Sequence, residues 1–200
     1  QGGVVVEGTA GNTGIGLALV GNARGYRTVI TMPETQSQEK KDMLLLCGVE
    51  LRCVPAVPFK DPNHYVHQAE RLAQELAKTE SNGVLYANQW DNLSNRNGHM
   101  RSTGPEIWEQ TEGRITHFVT GMGTGGTISG VGRFLKERLD DVTIVAVEPA
   151  GSAVISGEPR GPHKFQGMGP GFIPDNLDRS VIDRVEKALE RPILYGTEFS

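Results

Sequence analysis

Two glycine-rich segments, each lying between an apolar run and a helical pattern, carry the residues best suited to chemistry. The first is "EGTAGNTGIGLAL" from Glu7 to Leu19, and the second is "VTGMGTGGTISGVGRFLKE" from Val119 to Glu137. Glycine permits close backbone approaches that other residues forbid, and the first turn of a helix offers unpaired N–H groups to an anion. Both segments therefore predict an anionic ligand that is held largely by main-chain amides.

The glycine spacing of the second segment fits a dinucleotide site. Gly121, Gly123 and Gly126 form the pattern G-x-G-x-x-G after an apolar run. Glu148 ends the next β-rich run about 20 residues later, where dinucleotide-binding folds place an acidic residue against the ribose. An NAD-binding oxidoreductase is therefore one function that these residues permit.

The same segment also fits a single phosphate monoester. Its amides open a predicted helix, whose dipole favours an anion at that end. The hydroxyls of Thr124 and Thr127 add donors, which suit a phosphate monoester better than a pyrophosphate that needs clearance. The residues of this predicted phosphate loop are Gly123, Thr124, Gly125, Gly126 and Thr127.

The first segment offers a different set of donors. Asn12 and Thr13 place an amide and a hydroxyl beside the first amides of a helix predicted over 12–24, which suits a carboxylate or a phenolic oxygen. The alternative is that Asn12 only caps this helix. Two helix starts that favour anions suggest a ligand with a phosphate and a substrate with a carboxylate.

The strands and helices that position these two segments are predicted by alternating β-rich and helical patterns. The alternation indicates an α/β fold with open, mostly parallel sheets and helices on both faces, whose ligands bind at the carboxyl ends of the strands. A glycine- and proline-rich stretch over 151–179 predicts a long ordered loop, and a break near 95–104 divides the chain into two lobes. The predicted strands are 3–7, 27–32, 49–54, 83–87, 117–121 and 142–148, and the predicted helices are 12–24, 36–47, 62–79, 102–111 and 126–139.

Composition argues against several classes of partner. The 200 residues carry a formal net charge of −4, whereas nucleic-acid-binding proteins usually show a basic patch. No apolar run approaches the roughly 18 residues that a membrane helix needs, and the first residues, "QGGVVVEG", do not resemble a signal peptide. We therefore expect a soluble cytoplasmic protein without nucleic-acid or membrane partners, a mitochondrial location being the alternative.

The scattered cysteines, histidines and tryptophans are weaker indications of function. Cys47 and Cys53 have five residues between them and the histidines are scattered, so neither matches a zinc or redox spacing. We expect no metal site and two small, buried, apolar cysteines. His99 follows "NRNG" and is a candidate acid or base, although a surface or capping role is favoured. Trp90 and Trp108 are expected to be packing residues.

Six motifs stand out along the chain from about residue 3 to residue 185. They are "EGTAGNTGIGLA", "MPETQSQEK", "ANQWDNLSN", "GMGTGGTISGVGRFLKE", "VEPAGSAVISG" and "GPHKFQGMGPGFIPDNLD". In sequence and in order they resemble the cysteine synthase (O-acetylserine sulfhydrylase) and cystathionine β-synthase family of fold-type II pyridoxal-phosphate enzymes. The resemblance implies a two-lobed fold like that of the tryptophan synthase β-subunit, bound pyridoxal 5′-phosphate and a homodimer.

The implied activity is a β-replacement that makes L-cysteine from O-acetylserine, or a similar O-activated serine, and sulfide. Cystathionine β-synthase activity on serine and homocysteine is the alternative within the family. An NAD-binding oxidoreductase and a non-catalytic fragment that binds a ligand or partner are the alternatives outside it.

The resemblance also implies roles for particular residues. It assigns a substrate-carboxylate loop to a lobe over 1–100, and a cofactor-phosphate loop, Gly123 to Thr127, to a lobe over 101–200. Asn12 would bind the 3′-oxygen of the pyridoxal ring. The residues implied to bind substrate are Thr9, Ala10, Gly11, Asn12, Thr13, Gln89 and Gly167.

The chain departs from the family pattern at several points. Ala10 stands where the family usually has serine, and Gly8 stands where it has proline, which we expect to remove one hydroxyl contact and to loosen the loop. The family's Schiff-base lysine belongs upstream of Gln1, and the serine that faces the pyridine nitrogen belongs beyond residue 200. Residues 186–200 do not match the family. The chain is thus expected to be truncated at both ends and to contain no catalytic residue.

Three other lysines stand in or near the motifs. Lys40 and Lys41 lie on the polar side of a predicted helix, and Lys164 lies in a predicted loop. A buried lysine with a lowered pKa can form a Schiff base, but solvated surface positions are expected for all three.

Overall fold

The computed structural model describes residues 2–190, which divide into two units. The first unit ends at Gln89 and the second begins at Trp90, so the division precedes the segment 95–104 where the sequence placed it. The mismatch of the tail with the family falls mostly on residues 191–200, which lie outside the described residues.

The first unit contains one parallel sheet of four strands in the order β3-β2-β1-β4. The strands lie where the alternating pattern predicts them, within one residue at either end. Its elements are β1 (Val4–Gly8), α1 (Asn12–Ala23), β2 (Arg27–Pro33), α2 (Gln38–Leu46), β3 (Glu50–Val54), α3 (Tyr65–Leu76) and β4 (Val84–Tyr86).

Helices cover both faces of this sheet. Val29 packs in a core cluster with residues of α3, whereas Ile30 and Met32 pack with residues of α1 and α2. Because successive residues of a strand point to opposite faces, this division places α3 on one face and α1 and α2 on the other. Burial on both faces explains why the central strands read as continuous apolar runs.

The second unit contains a parallel sheet of three strands in the order β5-β6-β7. Two 3₁₀ turns, Ala150–Ser152 and Arg179–Val181, flank a stretch without helix or strand, which confirms the predicted long loop. The other elements are α4 (Ser94–Arg101), α5 (Thr103–Gln110), β5 (His117–Gly121), α6 (Gly126–Lys136), β6 (Thr143–Pro149) and β7 (Arg184–Ala188).

The sequence did not predict α4 and β7. α4, "SNRNGHMR", contains no buried residue and therefore shows no apolar stripe. β7 is short and charged, and the preceding Asp183 connects it to β6. The Asp183 N–H donates to the Ile144 carbonyl, and the Asp183 carboxylate accepts the Ile144 N–H at 2.7 Å.

In residues 2–190 no helix is long and apolar enough to cross a membrane.

Candidate functional site

The predicted phosphate loop follows β5 and opens α6. The N–H of Met122 donates to the Val147 carbonyl at 2.9 Å, which fixes the start of the loop to β6. Gly125 has a φ of 80°, a left-handed conformation that favours glycine, and occupies the N-cap position of α6. The loop therefore turns sharply so that its amides precede the first turn of the helix.

Most amides of this loop have no protein partner. Within residues 2–190, no acceptor takes the N–H of Gly123, Thr124, Gly125 or Thr127. The Thr124 hydroxyl oxygen accepts the Asn95 side-chain amide at 3.1 Å and the Gly126 N–H at 3.4 Å. Its own proton is thus available to a ligand, and the loop offers converging donors to an anion.

The loop glycines are required by contacts within the protein. A Cβ atom on Gly123 would lie 2.4 Å from the Gly167 carbonyl oxygen, and one on Gly126 would lie 2.1 Å from Asn95 Oδ1. Both distances are far below van der Waals contact. The sequence interpretation explained the glycines only by the approach of a ligand, whereas the structure shows that neighbouring segments of the second unit also require them. Gly167 thereby lies against the phosphate loop.

His99 links α4 to the phosphate loop. Its Nε2 lies 3.3 Å from Thr127 Oγ1, and its Nδ1 lies 2.9 Å from Thr103 Oγ1. Burial lowers the pKa of His99, so its ring is neutral at neutral pH. A neutral ring that accepts the Thr103 proton on Nδ1 donates from Nε2 to Thr127, which leaves the Thr127 proton for a ligand.

Glu148 does not serve as a ribose-binding residue. Its side chain is fully buried, and its two oxygens accept the N–H of Ile155 at 2.7 Å and the N–H and hydroxyl of Ser156 at 3.0 and 2.6 Å. These bonds order the start of the long loop. The G-x-G-x-x-G pattern from Gly121 therefore lacks the accessible acidic partner that a dinucleotide site requires.

The first glycine segment forms a second set of unpaired amides, between β1 and α1. Within residues 2–190, the N–H groups of Ala10, Asn12 and Thr13 donate to no acceptor, whereas Gly11 donates to Thr9 Oγ1 at 3.2 Å. Gly11 occupies the N-cap position, so the alternative that Asn12 caps the helix is wrong. Asn12 is the exposed first residue of α1. We call residues Thr9 to Thr13 the carboxylate loop.

The structure places Gln89 beside the carboxylate loop. The Thr13 hydroxyl donates to Gln89 Oε1 at 2.7 Å, and Gln89 Nε2 donates to the Gly8 carbonyl at 3.2 Å. The backbone N–H of Gln89 donates to Glu7 Oε2 at 3.3 Å. One residue thus connects the end of β1 with the first turn of α1.

Glu7 is the residue of this region that the sequence analysis missed. It is 0% exposed, and its Oε1 has no hydrogen-bond partner among the described residues. Burial raises the pKa of Glu7 to about 8, against the lowering effect of hydrogen bonds from Gln89, Asn88 and Gly8. The available signal was one acidic residue at the end of an apolar run, "VVVEG".

Gly8, which replaces the family's usual proline, lies against α3. A Cβ atom there would lie 2.9 Å from both the Tyr65 carbonyl oxygen and Val66 Cα. Any larger residue therefore requires the first turn of α3 to shift.

The three lysines considered from the sequence lie at or near the surface. Lys40 is half-buried, since its aliphatic stem packs beside Gly11, and its Nζ donates to Gln36 at 3.4 Å. Lys41 donates to the Glu34 carbonyl, and the side chain of Lys164 is exposed. Lys40 thus lies against the carboxylate loop rather than on a wholly solvated face.

The remaining predictions concern cysteines and tryptophans. The prediction that both cysteines are buried is wrong. Cys53 is exposed because it lies on the edge strand β3, and Cys47, at the end of α2, is half-buried. Within the described part of the chain, no group of side chains could hold a metal ion. Trp108 packs against the core of the second unit and Trp90 packs against Phe172, which confirms their packing roles.

Comparisons with known proteins agree with the sequence resemblance. Residues 1–191 match the family model described as "Pyridoxal-phosphate dependent enzyme". The chain is 47% identical over 189 residues to cysteine synthase 1 of Neurospora crassa, which covers 90% of this chain and 49% of that relative. It is 45% identical over 187 residues to a cysteine synthase of Staphylococcus aureus, which covers 93% of this chain and 58% of that relative.

A solved structure shows the same fold. The crystal structure of cysteine synthase (OASS) from Entamoeba histolytica superimposes with a TM-score of 0.81 at 35% identity, over 94% of this chain and 53% of that one. The chain spans about half the length of the curated relatives it matches.

Proposed function

Because the chain belongs to the pyridoxal-phosphate-dependent enzyme family, we propose that it is the part of a cysteine synthase that binds the cofactor phosphate and the substrate carboxylate. The proposed reaction is a β-replacement, in which O-acetylserine or a similarly activated serine loses its leaving group and sulfide takes its place to give L-cysteine. The observation that carries the proposal is a pair of helix starts with unpaired amides, one for each of the two anions.

The phosphate loop fits the cofactor phosphate. The phosphate oxygens would be held at the start of α6 by the unpaired N–H groups and by the hydroxyls of Thr124 and Thr127. The unpaired N–H groups are those of Gly123, Thr124, Gly125 and Thr127. Pyridoxal phosphate supplies an electron sink for negative charge on the substrate α-carbon when it is bound. Asn12, whose side chain is exposed beside unpaired amides, would donate to the 3′-oxygen of the cofactor ring.

The carboxylate loop fits the carboxylate of an amino-acid substrate. Its unpaired amides, together with the Gln89 side chain, would orient the substrate by its carboxylate and fix the position of the α-carbon. The substrate-binding residues we propose are Thr9, Ala10, Gly11, Asn12, Thr13, Gln89 and Gly167. We assign no residue of this chain to the transfer of the α-proton.

The substrates that we propose are an activated serine and sulfide. We propose further that the protein is a homodimer and that it is cytoplasmic. Cystathionine β-synthase activity would use the same two anion sites and differ in the thiol, so it stays the second candidate. The NAD-binding oxidoreductase is disfavoured because Glu148 is buried and accepts bonds from Ile155 and Ser156, so it is not available to a ribose.

The test uses the purified protein with pyridoxal phosphate. We expect visible absorbance from the bound cofactor. We expect cysteine formation from O-acetylserine and sulfide when the protein tested also carries the family's Schiff-base lysine. Cystathionine formation from serine and homocysteine, without cysteine formation, would favour the second candidate. Absence of cofactor binding would contradict both.

A further inference from the structure

The buried carboxyl group of Glu7 is separated from the carboxylate loop in the sequence by Gly8 alone. Glu7 has no exposed surface, and its Oε2 accepts the backbone N–H of Gln89. The side chain of that same Gln89 accepts the Thr13 hydroxyl of the loop. Glu7 Oε1 has no partner among the described residues. A proposed anion site is thus built against a buried acid whose oxygens are not fully bonded.

Hydrogen bonds from Gln89, Asn88 and Gly8 offset only part of the cost of burying a negative charge on Glu7. α1 contains no charged residue, and β2 contains none from Thr28 to Pro33. From α3 the Tyr65 phenol faces Glu7, and the effect of Glu7 on Tyr65 adds to burial in raising the pKa of Tyr65 to about 12. From β4 comes Tyr86, whose hydroxyl donates to the Val66 carbonyl. From α2, the stem of Lys40 packs on Gly11 and its Nζ donates to Gln36.

An ionised Glu7 would oppose a second anion in this setting. A buried carboxylate without enough donors is costly, and a like charge nearby raises that cost further. A protonated Glu7 still accepts the Gln89 N–H, which keeps the Gln89 side chain in place, and adds no negative charge. The ionisation state of Glu7 therefore affects the affinity of the carboxylate loop.

We propose that Glu7 is a positioning residue that must carry a proton for the carboxylate loop to bind the carboxylate of an amino acid. This inference rests on the proposed function, because it takes residues Thr9 to Thr13 as the carboxylate site. Glu7 touches neither cofactor nor substrate in this proposal. It acts through Gln89 and through the absence of its own charge.

Linkage fixes the direction of the effect. Burial, partly offset by hydrogen bonds, raises the pKa of Glu7 to about 8, so the group is mostly protonated at pH 7. A bound carboxylate raises that pKa further, since the protonated form then avoids like-charge repulsion. Carboxylate binding is accordingly accompanied by proton uptake, and its affinity falls as the pH rises above about 8.

The experiment measures the binding of propionate to the cofactor-loaded protein by calorimetry between pH 6.5 and pH 9.5, roughly centred on the pKa of about 8. Propionate has a carboxylate and no amino group, so it does not titrate in this range. We expect its Kd to rise above about pH 8, approaching about tenfold per pH unit. Glu7→Gln should bind propionate with a Kd that is nearly independent of pH. Glu39→Gln, which removes an exposed carboxylate of α2, should behave like wild type.

Two further measurements keep the outcomes separate. Proton uptake is obtained from wild-type protein alone, by comparing binding heats in buffers of different ionisation enthalpy, so the test does not depend on Glu7→Gln folding. A wild-type Kd that does not change with pH, or a Glu7→Gln variant with the wild-type slope, would overturn the inference. Visible absorbance reports cofactor binding on the same samples. A normal cofactor spectrum together with a flat pH profile contradicts the role of Glu7 and leaves the proposed function standing.

Discussion

The backbone N–H of Gln89 donates to the buried carboxyl of Glu7 at 3.3 Å, although 82 positions separate them in the chain. The contact joins the end of β1 to a residue three positions after the end of β4, and the Gln89 side chain extends it to Gly8 and Thr13. The sheet therefore holds the carboxylate loop in place, while the amides of Ala10, Asn12 and Thr13 stay unpaired. Fixed surroundings with unpaired donors are what an anion site requires, since little reorganisation accompanies binding.

The first prediction is that Glu7 makes the stability of the protein fall with rising pH. Burial raises the pKa of Glu7 from its usual value near 4.5 to about 8, so the folded state binds more protons than the unfolded state between these values. The free energy of unfolding then decreases by up to about 1.4 kcal/mol per pH unit in that window and levels off above it. Urea unfolding of wild type and Glu7→Gln at several pH values measures this, and equal slopes in the two proteins would contradict it.

The second prediction concerns the cofactor phosphate. Thr124→Val removes a hydroxyl whose proton is available to the phosphate, so cofactor affinity should fall by about 1.5–3 kcal/mol, the value of a hydrogen bond to a charged group. Equilibrium titration of the apoprotein with pyridoxal phosphate measures the loss. Thr116→Val changes an exposed threonine outside the loop in the same way and serves as the control. Unchanged affinity in Thr124→Val would count against the phosphate loop.

The third prediction is that ligands protect the two loops separately. The amides of Ala10, Asn12 and Thr13 lack protein acceptors, so they should exchange hydrogen quickly in the free protein. An amino-acid substrate should slow exchange in this loop, and the cofactor should slow it from Gly123 to Thr127. Hydrogen exchange by mass spectrometry distinguishes the two segments. If a substrate leaves exchange from residue 10 to residue 13 unchanged, this loop is only the start of a helix.

The sequence predicts most of the fold because apolar runs and helical patterns alternate clearly, and both faces of the first sheet are buried. It failed at α4 and β7, which have few or no buried side chains and therefore little apolar periodicity. The two loops were predictable from glycine beside donor residues at helix starts. The contacts of Asn95 with Thr124 and of Glu7 with Gln89 were not, since they join positions far apart in the chain whose pairing no local pattern encodes.

The last prediction separates two roles for His99. Its ring lies between Thr103 and Thr127, and its lowered pKa keeps it neutral, so it can direct the Thr127 hydroxyl toward the cofactor phosphate. His99→Phe removes both bonds and should weaken cofactor binding by about 0.5–1.5 kcal/mol, the net value of a neutral hydrogen bond. Thr103→Val should weaken it less, because only the orientation of the ring is lost.

The double variant completes this test, because the effects of substitutions at two hydrogen-bonded residues do not simply add. His99→Phe combined with Thr103→Val should bind the cofactor no more weakly than His99→Phe alone. Cofactor affinity is measured by titration, and kcat is measured at saturating cofactor in protein that carries the family's Schiff-base lysine. A His99 that acts as an acid or base on the substrate gives the opposite pattern, in which kcat falls while cofactor affinity is unchanged. That result would assign His99 to the chemistry and remove it from the support of the phosphate loop.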